Sequence, residues 1–151
     1  MVPKVKIDEI VEAMKLQFNT WNTFLNIKTG EIVYVSDDEL QSAEDDELSD
    51  WELDDVSAAI DILENEADYI ELPTQFDINE YHMITTFCHS VEDSQIRSQL
   101  LAAVRGKGAF RRFKDLITQY EIEDEWYAYR DKCYREIAIR WCQNNGIEWA
   151  D

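Results

Sequence analysis

The chain has 151 residues, 45% of them hydrophobic and 12% aromatic, with a formal net charge of -19. Disordered acidic chains lack aromatic residues, so this composition predicts one folded domain long enough to bury a core. The charge sets the protein against duplex DNA, RNA backbones and anionic membranes, and in favour of a basic protein surface.

That charge is unevenly placed. Residues 1–100 carry 5 Lys or Arg against 24 Asp or Glu, residues 101–151 carry 9 of each, and no cation falls between Lys28 and Arg97. No apolar run approaches the ~20 residues of a membrane span. The N-terminal Met-Val-Pro-Lys-Val-Lys has no apolar signal core, which predicts a cytoplasmic protein. Three cysteines without close pairing fit a reducing compartment. Few Gly and Pro favour helices over a many-turned β fold.

Ile7, Ile10, Val11, Met14 and Phe18 recur at helical spacing and predict an amphipathic helix over 7–18. Trp21–Ile27 and Glu31–Val35 are β-rich runs around Lys28-Thr29-Gly30, a hairpin in which Gly30 takes a positive φ. Ser36-Asp37-Asp38-Glu39 and Ser49-Asp50-Trp51-Glu52 have the form of capping boxes, the second opening a stripe of Leu53, Val56, Ile60 and Leu63. Glu44–Glu47 between them reads as a solvated loop. Tyr69–Leu72 alternates and stops at Pro73, as a short third strand beside the hairpin does.

From Asp77 the pattern is helical. Tyr81, Ile84, Phe87 and Cys88 mark one helix, and Ile96, Leu100, Ala103 and Val104 the next, opened by Ser90–Asp93. Arg105-Gly106-Lys107-Gly108 breaks the run, and Phe110, Phe113, Leu116, Ile117 and Tyr120 resume it. Trp126, Tyr129, Cys133, Ile137 and Trp141 mark the last and longest helix, with Gly146 at its expected left-handed cap. The expected architecture is a single α+β domain over 1–151. A small antiparallel sheet, the hairpin plus one short strand, packs with five or six helices. The acidic α+β part runs to about residue 75 and an all-helical part follows. The expected core contains Ile7, Val11, Met14, Phe24, Ile32, Val33, Ile60, Leu63, Ile70, Ile84, Phe87, Ile96, Leu100, Phe110, Phe113, Ile117, Ile137 and Trp141.

Several of these segments together resemble a known family. They are Tyr34–Asp37 after a Lys-Thr-Gly turn, Tyr69–Pro73, the block Gly106-Lys107-Gly108-Ala109-Phe110-Arg111-Arg112-Phe113-Lys114-Asp115, and Trp126 with Tyr127. The resemblance is to an uncharacterised bacterial protein family numbered 0158, and it runs from roughly Val5 to Ile147. It implies a small bacterial cytoplasmic protein and supplies no catalytic residues.

The residues offer no catalytic motif and call for no cofactor. The first functional expectation is therefore a non-enzymatic interaction protein. Its acidic face, Asp37, Asp38, Glu44, Asp45, Asp46, Glu47, Asp50, Asp54, Asp61 and Glu64, docks on a basic macromolecule, in the sharpest form by imitating a nucleic-acid backbone. The alternative is an anion, phosphate-ligand or RNA-end binding protein or enzyme that uses the basic break, built from Arg105, Lys107, Gly108, Arg111, Arg112 and Lys114 at a helix N-terminus. The spacing there is neither a Walker loop nor a dinucleotide fingerprint. A helix-turn-helix over 93–120 is opposed by the net charge, so direct DNA binding is not expected. A homodimer, neutral half against acidic half, is a third reading. No metal is expected: the carboxylates lack the alternation and glycine of a calcium loop, and His82 and His89, seven apart on one helix, stand ~10 Å apart along its axis.

Overall fold

Ile7, Ile10, Val11 and Met14 repeat on one side of a 3.6-residue period, and the first long element is the helix they define. The computed structural model describes residues 4–16, 21–44 and 56–151. In it α1 (Ile7–Lys15) buries Ile7, Ile10, Val11, Ala13 and Met14 and turns Asp8, Glu9 and Glu12 outward. Each fully buried aliphatic side chain of this kind stabilises the fold by about 1.5–3 kcal/mol. Asp8 and Glu9 sit in the first turn and Lys15 in the last, the charge order that suits the helix dipole.

The expected hairpin and third strand are present. Strands β2 (Trp21–Asn26) and β3 (Ile32–Ser36) pair antiparallel, and β2 pairs on its other side with β4 (Tyr69–Glu71), giving the order β3-β2-β4. The Asn26 side chain accepts hydrogen bonds from the Lys28 and Thr29 backbone N–H groups, an Asx turn that closes the loop. Gly30 follows at φ 78°, so a side chain there would be strained. Ser36 caps α2 (Asp37–Ala43) by accepting from the Glu39 N–H at 3.1 Å, as the capping sequence predicts. Helix α3 (Ser57–Glu64) follows, and Ala59 and Ile62 close a small core with Val35, bordered by Phe24, Val33, Leu40, Ala43 and Tyr69.

One pair of strands was not foreseen. β1 (Val5–Lys6) and β5 (Trp149–Ala150) are parallel, with Val5 opposite Trp149. Two-residue strands are too short to show a period of two. The remaining elements are the single turn α4 (Gln75–Ile78), then α5 (Glu80–Ser90), α6 (Ser94–Ala103), α7 (Ala109–Gln119) and α8 (Glu123–Asn144). Asn79 caps α5 and Asp93 caps α6, the latter accepting from the N–H groups of both Gln95 and Ile96.

The chain divides into two compact units. The first comprises Met1–Gln75 with Ile137–Asp151, the second Phe76–Glu136. The all-helical stretch expected from residue 76 thus gives up its last residues to the first unit. There β5 pairs with β1, and Trp141 Nε1 donates to the Glu71 carbonyl at 2.9 Å. The second unit is built on an aromatic cluster. Phe113 and Trp126 meet edge to face with centroids 5.0 Å apart, and Phe87 and Tyr129 pack against them.

The core differs from the expected one in register. Ile7, Val11, Met14, Ile84, Phe87, Leu100, Phe113 and Ile117 are buried as expected. At α3 the buried side chains are Val56, just before the helix, and Ala59 and Ile62 on it, with Ile60 and Leu63 half-buried; Leu53 lies outside the described residues. On β2 they are Thr23 and Leu25, with Phe24 half-buried. Ile32, Val33, Ile70, Ile96, Ile137 and Trp141 are half-buried too, and Phe110 is exposed. On α8 the stripe is Trp126, Tyr134, Ala138 and Cys142 in place of Tyr129, Cys133, Ile137 and Trp141. Alanine, threonine and cysteine carry little weight in an apolar pattern, yet their small volume lets elements approach closely. Tyr81 and Phe110 lie outside the core with ring centroids 6.3 Å apart, and the Tyr81 hydroxyl donates to the Val104 carbonyl at 2.7 Å.

Candidate functional site

Three carboxylates on one side of α1 and one at the end of the hairpin loop share a groove. Asp8, Glu9 and Glu12 come from α1, while Gly30, Glu31, Ile32 and Tyr34 come from the loop end and β3. Its volume is about 580 Å³, large enough for several residues of an extended peptide. Tyr34 is 42% exposed, and its hydroxyl pKa is raised by partial burial and then by the charges of Glu12 and Glu9. Lys15 Nζ stands 3.9 Å from Glu12 Oε1. That is the outer limit of an ion pair, in a solvated position where such a contact contributes little.

The acidic residues expected to dock a partner lie on neighbouring elements. Asp37 and Asp38 open α2, Glu44 follows its end, and Asp61 and Glu64 sit on α3. All five are exposed. Asp37 accepts from Asn22 Nδ2 at 2.7 Å, and Asp61 accepts from Asn65 Nδ2 and from the Tyr69 hydroxyl. None of the five forms a salt bridge with a cation among the described residues; in that unit Lys28 pairs instead with Asp68 at 3.2 Å. Asp45, Asp46, Glu47, Asp50 and Asp54 lie outside the described residues. Counted by unit, the first holds 5 Lys or Arg against 22 Asp or Glu, the second 9 against 11. The formal charge is therefore concentrated in the unit that contains the groove.

At the basic break the cations do not gather at one point. Arg112 folds back along α7 and donates to three backbone carbonyls: Nε to Ala103 at 2.8 Å, Nη1 to Lys107 at 2.6 Å and Nη2 to Arg105 at 2.6 Å. Its charge thus satisfies one carbonyl left open at the end of α6 and two in the turn that follows. Gly108, at φ 79°, occupies the N-cap position of α7. Arg105, Lys107 and Arg111 are exposed. Lys114 borders a separate cleft of about 100 Å³ with Glu80, Phe110, Tyr127 and Arg130. There Arg130 Nε lies 2.5 Å from Glu80 Oε1, and its guanidinium stands 5.2 Å from the Tyr134 ring centre.

Among the described residues no three His, Cys, Asp or Glu side chains gather as a metal site requires. No helix among them is long and apolar enough to cross a membrane. Cys88 and Cys142 are buried, and burial pushes both thiols up to about 11.

Reading the sequence missed the groove itself. Its signal was present: Asp8 and Glu12 are one turn apart with Glu9 beside them, and Glu31 follows the turn glycine. Nothing local announces that this side of α1 faces β3.

The chain matches the model of the Uncharacterised protein family (UPF0158) over residues 3–151 and belongs to that family. It is similar to the UPF0158 protein PA5073 of Pseudomonas aeruginosa, 28% identical over 91 residues that span 59% of this chain and 60% of that relative. No solved structure matches.

Proposed function

We propose that this member of UPF0158 is a non-enzymatic interaction protein whose acidic unit receives a basic surface of a macromolecular partner. The observation that carries the reading is the groove of Asp8, Glu9, Glu12 and Glu31 on a unit with 22 acidic against 5 basic side chains. Such a field steers a cationic partner inward and raises its association rate. The half-exposed Tyr34 and the side chain of Ile32 supply contact area that charge alone does not. The basic break gives the anion-site alternative less footing, because Arg112 is engaged by its own backbone.

The test is calorimetric titration with a lysine-rich peptide across ionic strength. Between about 0.01 and about 1 M salt the screening length falls from ~30 to ~3 Å. Affinity drops steeply over that range if the reading holds. It also drops for the combined Asp8→Asn, Glu9→Gln, Glu12→Gln and Glu31→Gln variant at low salt. Binding unchanged by salt or by the variant refutes the proposal.

A further inference from the structure

The hairpin register fixes which backbone groups of β3 are free. Asn26 N–H donates to Glu31 O across the hairpin, so these two residues stand at a hydrogen-bonded position of the ladder, while Thr23 O accepts from Leu72 N–H on the opposite side of β2. The pairs then alternate: Phe24 with Val33 and Asn22 with Val35 are bonded, while Leu25 with Ile32 and Thr23 with Tyr34 are not. The N–H and C=O groups of Ile32 and Tyr34 therefore point away from β2. β3 is the end strand of its sheet, and none of the hydrogen bonds among described residues engages these groups. The same two residues line the groove that Asp8, Glu9 and Glu12 border from α1.

An unpaired edge of this kind is a template for another strand. We propose that the outer edge of β3 takes up an extended basic segment of a partner protein as an added strand, its Lys or Arg side chains reaching Asp8, Glu9 and Glu12. The inference rests on the acidic-docking reading and specifies the form of the ligand. In an added strand side chains alternate, so every second residue faces the α1 carboxylates while the others face away. The ligand is then a run of alternating basic and β-branched residues, with its amides at one parity bonded to Ile32 and Tyr34. The competing roles for the carboxylates and the edge are negative protection, in which charge keeps strands away, and pairing with β3 of a second copy. Self-pairing brings two copies of the same carboxylate set together and is disfavoured by like charge.

The experiment uses the full chain and an alternating Lys-Val heptapeptide, with backbone N-methylation of every second amide, each parity in turn. Methylation leaves the charge intact. The expected result is about tenfold weaker binding for one parity and little change for the other, since each lost hydrogen bond is a fraction of the 1.4 kcal/mol that tenfold represents. Amide exchange at Ile32 and Tyr34 slows on binding of the parent peptide, and exchange at Val33 and Val35 is unaltered. If both methylated peptides bind like the parent and those amides stay unprotected, the strand geometry is wrong and the acidic-docking reading survives. A parent peptide that binds the wild type no better than the Glu9→Gln, Glu12→Gln variant removes both. Protection of the same amides in the protein alone, rising with its concentration, assigns the edge to a second copy and overturns the proposal.

Discussion

The guanidinium of Arg112 occupies the space that a side chain at position 108 would need: a Cβ built on Gly108 stands 2.9 Å from Arg112 Nη1. The two residues form one device. Gly108 turns the chain at φ 79°, and Arg112 passes through the gap to reach the carbonyls of residues 103, 105 and 107. Two of the conspicuous residues of the Gly-Lys-Gly-Ala-Phe-Arg-Arg-Phe-Lys-Asp block thereby acquire a structural reason.

Arg112→Ala is expected to lower the unfolding free energy by about 2 kcal/mol, because three carbonyls lose charged donors at a solvated site. Arg112→Lys recovers little of this, since an ammonium cannot span three carbonyls as the planar fork does. Urea denaturation of the three proteins checks the order.

Gly108→Ala is expected to destabilise by about 1–2 kcal/mol from the left-handed backbone alone, with the clash against Arg112 in addition. In an Arg112→Ala background the clash disappears and only the backbone part remains. A double-mutant cycle on thermal unfolding measures the difference; strict additivity contradicts the contact.

Tyr34 titrates above the ordinary tyrosine value of 10.0, through burial first and then Glu12 and Glu9. Its folded pKa exceeds its unfolded one, so the stabilisation is fully present below about pH 10 and is lost as pH rises through the folded value. Glu9→Gln with Glu12→Gln shifts the titration downward, as ultraviolet difference spectra of the Tyr34→Phe pair will show.

Cys88 and Cys142 are buried with thiols pushed up to about 11, whereas Cys133 is half-buried. Iodoacetamide at pH 8 is expected to label Cys133 first, with the other two reacting only as the protein unfolds, because the thiolate is the nucleophile. Peptide mass mapping over time reads the order directly.

Phe113→Ala removes the centre of the cluster with Phe87 and Trp126 and is expected to destabilise by about 3–5 kcal/mol. The fluorescence of Trp126, buried in the same cluster, moves to longer wavelength as the packing loosens.

What the sequence determined by itself is local or cumulative. The hairpin follows from β-rich runs around a turn glycine, the Ser36 cap from one hydroxyl three residues before Glu39, and the α1 stripe from helical period. The charge asymmetry needs no fold at all. What the tertiary structure alone decided is which faces meet. It set Asp8, Glu9 and Glu12 beside Tyr34, paired Val5 with Trp149 across almost the whole chain, and turned Arg112 from a candidate anion ligand into a clasp for carbonyls. Such contacts join residues whose separation along the chain carries no periodic signal, and small side chains such as Ala59 and Ala138, which are fully buried, are nearly invisible to a hydrophobic pattern.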